Sequence, residues 1–334
     1  MSVGAVVVLV DHRDPRWRGS AAPLLALAHE LGGRQGWSVD AVWVGPGHDE
    51  EVATWVASTG PVVQHVVQVD GADPQLPASL GCALRAVADD AAARLVLVPS
   101  TFEGREVAGQ LAALTGSGVV VGASSVVVED GLVVAGKAVL AGSWRTRCAV
   151  TSPLAVVALD VHAAAAASPA TPPGTGEAEV RRHRVQAPAA ASAVQVLVRA
   201  ARPVTERPSL AEAEVVVVGG RGTGGDFSGV EDLADALGGA VGATRVATDE
   251  GWAPHALQVG QTGVTISPRL YVGAGVSGAV HHRGGMAASA TVVAVNTDPD
   301  APIFEVADVA VVADVRTLLP ALAAEVRSRR HRSG

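Results

Sequence analysis

Residues 270–286 read LYVGAGVSGAVHHRGGM: an apolar strand runs into Gly273, Gly275 and Gly278, then into a helical pattern that carries two adjacent histidines. This G-x-G-x-x-G spacing between a strand and a helix is the turn by which α/β domains bring main chain close to a phosphate. Glycine admits the phosphate oxygens to the backbone, and a helix N-terminus offers unpaired N–H groups with about half a positive charge. Ser277 stands where it would cap that helix. His281 and His282 point about 100° apart on a helix, so only one of them can face a ligand well.

A second match, Gly220, Gly222 and Gly225 in GGRGTGG (219–225), follows the strand EVVVV and precedes another helical pattern. With 38 glycines in the chain, one match is explained as well by a tight βα turn. Two such turns in one small domain favour a dinucleotide. Between them lies VGQTG (259–263), where Gln261 and Thr262 are polar groups framed by glycines, a usual way to orient a ligand on a loop. Taken alone, Thr262 reads as a solvated turn residue.

Working outward, apolar runs alternate with helical patterns from the start: AVVVLV then SAAPLLALAHELG, SVDAVWVG then DEEVATWVAS, HVVQV then SLGCALRAVADDA, RLVLVP then GREVAGQLAALTG. Such alternation predicts an α/β fold with a parallel sheet covered on both faces. From about residue 118 to 160 short apolar runs follow without helices between them, which predicts added strands, some in hairpins. Low-complexity sequence from His162 to Glu179 predicts an exposed loop. Two prolines and mixed charges from Arg202 to Ala213 predict an interdomain linker. The expected organisation is two parallel-sheet α/β domains, residues 1–205 and 213–334, the second Rossmann-like.

Composition narrows the function. The 334 residues are 49% hydrophobic but only 3% aromatic, so the core is expected to be Val, Ala and Leu. A net charge of -8 without a basic tract argues against nucleic acid as a partner. Cys82 and Cys148 stand far apart, with the spacing of neither a zinc site nor a disulfide framework, as in a reducing cytoplasm. No metal is expected, because the adjacent histidines lack the i, i+4 spacing or distant partners a metal wants. GAVVVLV at the N-terminus is followed at once by charged residues and reads as a first strand, and no apolar run is long enough to span a membrane.

The motifs GGRG (219–222), GATR (242–245), DEGW (249–252), QVGQTG (258–263), PRLYVGAGVSGAVHH (268–282), VAVNTDPDAPIF (293–304) and VADVAVVAD (306–314), in this order and spacing, resemble the alpha subunit of electron transfer flavoproteins. The resemblance covers nearly the whole C-terminal domain. In the N-terminal domain it rests on the α/β pattern and on pieces such as VPSTFEGREVAGQLAALTG. It implies FAD in the C-terminal domain and a beta subunit that completes the flavin pocket and holds an AMP. It also implies flavin dehydrogenases as electron donors and a quinone reductase or similar acceptor.

By the same resemblance, Arg221 contacts the FAD phosphate region and Thr244 stands where the family usually has serine. Arg245 lies against the isoalloxazine. Thr262 hydrogen-bonds flavin N5 from the loop shaped by Val259, Gly260 and Gln261. Ser277, Gly278, Ala279, Val280, His281 and His282 wrap the flavin and its phosphates, with His282 near the C2 carbonyl. Asn296 and Asp314 face the adenosine half. Arg245 and His282 are thereby expected to stabilise negative charge gained on the N1–C2=O edge in a low-dielectric site. His281 for the usual glutamine, Val264 for lysine, and Arg283 within RGGM mark a divergent bacterial member.

The competing reading is an NAD(P)-dependent oxidoreductase that uses GGRGTGG as its fingerprint, with Asp249 as the acidic residue about 20 positions further on that such a site wants for the ribose. It leaves VGQTG and the second glycine turn without a role. An electron carrier needs no general base or nucleophile, and the sequence displays none.

Overall fold

The structure, a computed structural model, describes residues 4–12, 17–60, 62–140, 144–161, 164, 179–199, 207–210 and 213–333. The chain divides into two compact units, Met1–Lys137 with Thr146–Ala201, and Ala138–Arg145 with Arg202–Gly334. The low-complexity tract and the expected linker lie largely outside the described residues.

In the first unit β1 (Ala5–Leu9), α1 (Trp17–Gln35), β2 (Ser38–Val44), α2 (Glu50–Ser58), β3 (Val63–Asp70), α3 (Pro77–Asp90), β4 (Ala93–Pro99) and α4 (Phe102–Thr115) alternate as the sequence predicts. The short apolar runs then divide into two groups. β5 (Gly118–Ala123) continues the main sheet, whereas β6 (Ser125–Glu129), β7 (Leu132–Val139) and β8 (Trp144–Val150) make a separate three-stranded sheet with an antiparallel β6–β7 pair. β9 (Ala155–Leu159) and β10 (Glu179–Gln186) return to the main sheet, followed by the short helix α5 (Ala189–Ser192).

Among the described residues the main sheet has the order β10-β3-β2-β1-β4-β9-β5, with every adjacent pair parallel. The central strands AVVVL and AVVAL are buried at every position, as strands covered on both faces must be. β10, EVRRHRVQ, sits at the edge and is charged and half exposed, a composition that discourages further strand pairing. Helix starts follow local chemistry: Asp49 accepts from the Val52 N–H and Thr101 from the Gly104 N–H.

The second unit contains β11 (Val215–Gly219), α6 (Ser228–Leu237), β12 (Ala240–Ala243), α7 (Arg245–Asp249), β13 (Leu270–Ala274), α8 (Val280–Met286), β14 (Thr291–Asn296), β15 (Val309–Val312) and α9 (Val315–Ser333). Its sheet is wholly parallel in the order β12-β11-β13-β14-β15. The order reverses between β11 and β13, and in such sheets ligands bind beyond the carboxyl ends of the strands at that switch point. Val217, Leu233, Val272 and Leu319 pack on one face of this sheet, and Val218, Ile266, Tyr271, Met286 and Ile303 on the other. Among the described residues no helix is long and apolar enough to cross a membrane.

Candidate functional site

The loops beyond β11, β12 and β13 are tied to one another through main chain. Gly220 N–H donates to Ala274 O at 2.9 Å, Gly222 N–H to Gly275 O at 3.0 Å, Thr244 N–H to Gly219 O at 3.0 Å and Val259 N–H to Ala243 O at 2.9 Å. The loop 259–263 is held to α8 by the bond from Gln261 N–H to His281 O, 2.9 Å. Arg221, Thr244, Arg245, Val259–Thr262 and Ser277–His282 are thereby brought to one lip of the sheet.

The glycines have a reason the sequence does not display. A Cβ on Gly222 would stand 2.6 Å from Gly275 Cα, and one on Gly220 would stand 2.8 Å from the Gly275 carbonyl carbon. The two glycine turns therefore pack backbone on backbone. Gly278 (φ +82°) makes a similar approach to the 302–306 turn, where a Cβ would meet Ile303 Cα at 2.5 Å. Gly285, which the motif reading passed over, lies with its Cα against Gly260, so that a Cβ there would stand 2.8 Å from the Gly260 carbonyl carbon and closer still to Gly260 N and Cα.

Several expectations need correction. Ser277 does not cap α8, whose N-cap is Ala279 without a side-chain bond. Instead the Ser277 carbonyl accepts from Ile303 N–H at 3.0 Å. At seven residues α8 is also too short for a full macrodipole. The GGRGTGG turn leads into the 3-10 turn Arg221–Thr223, and its helix begins only at Ser228, three residues after the last glycine, whereas the dinucleotide fingerprint opens directly into its helix. Asp249 is exposed and lies 3.3 Å from Arg245 as an i, i+4 pair. These observations remove the support for the NAD(P) reading.

His282 differs most from its expected part. It is 7% exposed, with Nδ1 3.1 Å from Val259 O and Nε2 2.7 Å from the Tyr271 hydroxyl. A carbonyl only accepts, so Nδ1 carries the proton and the bare Nε2 accepts from Tyr271. Burial pushes the imidazole pKa down to about 4, against a smaller upward effect from the Val259 carbonyl, and burial raises that of the fully buried Tyr271. At neutral pH His282 is uncharged with both nitrogens engaged inside the protein. It pins the loop 259–263 to β13 and supplies no positive charge. His281 is the exposed member of the pair.

Asn296 and Asp314 also have structural partners. Asn296 Nδ2 donates to Val276 O at 2.9 Å and its Oδ1 accepts from Asp298 N–H. Asp314 accepts from Arg316 N–H at the start of α9 and pairs with the Arg316 guanidinium, which holds its carboxyl below the ordinary range. Arg283 is paired with Glu305 at 2.7 Å.

Two hydroxyl groups of the lip stand apart from the rest. The Thr244 hydroxyl is buried and has no hydrogen-bond partner, although a buried polar group without one costs about 1–3 kcal/mol. Thr262 is held from behind: its Oγ1 lies 2.9 Å from Gln258 Nε2, and Gln258 Oε1 lies 2.9 Å from the Thr248 hydroxyl. Gln258 and Thr248 are buried while Thr262 is exposed. Motif reading missed both supports, because Gln258 and Thr262 meet across a non-helical turn and Thr248 lies ten residues before Gln258.

Outside this lip, His65, Asp90 and His183 have ligand-type atoms within 4.8 Å of one another. His65 Nδ1 and His183 Nε2 meet head to head at 2.8 Å, sharing one proton, while His65 Nε2 bonds Asp40 at 2.7 Å and Arg181 lies 3.4 Å from Asp90. With one ring nitrogen donating to the other, the cluster reads as a pin joining β2, β3 and β10.

Comparison with known proteins places this geometry. Residues 209–287 match the family model of the electron transfer flavoprotein FAD-binding domain, and residues 6–188 match the electron transfer flavoprotein domain. The chain is 39% identical over 327 residues to the electron transfer flavoprotein subunit alpha of Mycobacterium leprae, covering 97% of this chain and 98% of that one. It is 35% identical over 322 residues to the subunit alpha of Syntrophomonas wolfei, covering 96% and 98%. To the mitochondrial subunit alpha of Oryza sativa it is 56% identical over 120 residues, 35% of this chain and 34% of that one.

Proposed function

Because the chain belongs to the electron transfer flavoprotein alpha subunits, we propose that its second unit holds FAD along the lip formed by the loops after β11, β12 and β13. Paired with a beta subunit that carries an AMP, it takes electrons from flavin dehydrogenases and passes them to an acceptor such as a quinone reductase. It does so in the cytoplasm. Residues 1–205 are the platform for the beta subunit and residues 213–334 the flavin domain.

The observation that carries this reading is the partnerless buried hydroxyl of Thr244, a residue bonded through its N–H to β11 and followed at once by the exposed Arg245. A ligand that brings acceptor oxygens to this lip satisfies it. FAD, when bound, supplies the redox chemistry. The chain's own residues bind and orient it.

Arg221 is exposed with no carboxylate partner among the described residues and takes the phosphates. Arg245, whose i, i+4 pairing with Asp249 is exposed and worth about 0.3–0.5 kcal/mol, can be turned to the flavin at little cost. Since His282 is neutral, stabilisation of negative charge on the reduced ring falls to Arg245. His282 keeps Val259 and Tyr271 in register and would hold the loop in place beside a bound flavin. Thr262 presents its hydroxyl to N5. Gln261, Thr262, Ser277 and His281 are all exposed on this chain, as a rim is before a second chain covers it.

Co-expression with a beta subunit and a visible spectrum of the purified pair test the reading. A yellow complex with flavin bands is expected. A colourless pair that takes up no added FAD refutes it.

A further inference from the structure

We propose that Gln258 and Thr248 form a reversible hydrogen-bond relay behind Thr262 that lets its hydroxyl present either a proton or a lone pair to the ligand. The inference rests on the reading that Thr262 faces flavin N5. The Thr248 hydroxyl has one proton and two acceptors at equal distance, Arg245 O and Gln258 Oε1, each 2.9 Å away. That choice makes the relay reversible.

In one arrangement Thr248 donates to Gln258 Oε1 and Gln258 Nε2 donates to Thr262 Oγ1. The proton of Thr262 is then free to point outward, and the site offers a donor. In the other, the Gln258 amide is turned by half a revolution about its last bond. Thr248 then donates to Arg245 O and accepts from Gln258 Nε2, while Thr262 donates inward to Gln258 Oε1 and shows lone pairs outward. The Thr248 hydroxyl and both ends of the Gln258 amide keep a partner both ways. No proton passes between residues; hydroxyls rotate and an amide turns.

The two arrangements match what a flavin demands. The oxidised ring has a bare N5 that accepts a hydrogen bond, and the reduced ring has an N5–H that donates one. A serine or threonine hydroxyl free in water could serve both. Burial of Gln258 and Thr248, 7% and 3% exposed, instead shields the inner half of the relay from water, so that the Thr262 oxygen stays in one place while its polarity changes. Gln258 and Thr248 are positioning residues and touch no ligand.

The experiment uses the assembled heterodimer reconstituted with FAD labelled with nitrogen-15 at N5, in Gln258→Leu, Thr248→Val, Thr248→Ser and Thr262→Val variants. The N5 resonance and the affinity for FAD are measured in both oxidation states. Gln258→Leu and Thr248→Val are expected to move the N5 resonance in the direction that Thr262→Val moves it. Both are expected to weaken FAD binding in each state by about threefold to tenfold, the value of one hydrogen bond. Thr248→Ser, which keeps the hydroxyl, restores both readouts. If Thr262→Val moves N5 while Gln258→Leu and Thr248→Val leave it at the wild-type position, the relay is overturned and the placement of Thr262 stands. If Thr262→Val also leaves N5 unmoved, that placement and the relay both fall.

Discussion

Replacing Gly285 by alanine sets two effects of opposite sign against each other. Gly285 lies within α8 and its φ is not in the left-handed region, so the backbone accepts alanine, and helix propensity alone favours the change by about 1 kcal/mol. The new Cβ, however, would stand 2.8 Å or less from three backbone atoms of Gly260, whereas carbon atoms in contact rest about 3.5–4.0 Å apart. Gly260 has φ +147° and cannot relax as a flexible side chain would, so the loop 259–263 must retreat bodily. Overpacking of this kind costs about 1–3 kcal/mol, and with rigid backbone on both sides the upper half of that range applies. The net expectation is a loss of about 1–2 kcal/mol, roughly 5- to 30-fold in the folding equilibrium. The control is Gly109→Ala in α4, where nothing lies within 4 Å of the new Cβ and a gain of up to about 1 kcal/mol is expected. Urea denaturation of the full chain followed by circular dichroism reads both variants, the transition of the second unit being the one that added FAD shifts. Gly285→Ala should also bind FAD more weakly, because the displaced loop carries Thr262. A Gly285→Ala midpoint at or above wild type, with FAD affinity unchanged, would refute the claim that this contact sets the loop.

Tyr271→Phe removes the donor to His282 Nε2 and leaves a buried acceptor bare, for an expected loss of about 1–3 kcal/mol by chemical denaturation. Because the folded pKa of His282, about 4, lies below its ordinary 6.5, the unfolded chain takes the proton first. The stability linked to this group is complete above pH 6.5, declines as the pH falls towards about 4, and amounts to at most about 3 kcal/mol. Denaturation at intervals from pH 7 to 4 should show a steeper fall for wild type than for His282→Gln. Thr244→Val should leave the FAD-free chain as stable as wild type or more so, since it removes an orphaned hydroxyl, while weakening FAD binding by about threefold to tenfold in a titration. Equal affinity in the two proteins would take Thr244 out of the binding lip.

The strands were readable because Val-rich runs such as AVVVL and VVVVG admit few alternatives and the helical patterns between them force parallel pairing. The location of the lip was readable for a related reason, since glycines directly after strands mark where chain turns at a sheet edge. What those glycines touch was not readable. Gly222 meets Gly275 and Gly260 meets Gly285 across sequence gaps that no local pattern encodes. The same limit hid Thr248 behind Gln258, and it misplaced His282, whose neighbours in sequence are site residues but whose ring turns inward to Tyr271 and Val259. Ser277 misled because a serine soon after a strand resembles an N-cap by type, while the turn at Gly278 delays the helix, whose N-cap falls two residues later at Ala279.

Where glycine meets glycine, at Gly222 with Gly275 and at Gly260 with Gly285, the joints are closed like dry masonry, stone on stone. Drift in the outward-facing residues can retune electron affinity or docking preference without loosening the frame. Any change at the joints themselves shows first as a folding defect. The backbone joints would fix where a bound coenzyme sits, and the exposed side chains would be left to set what it does.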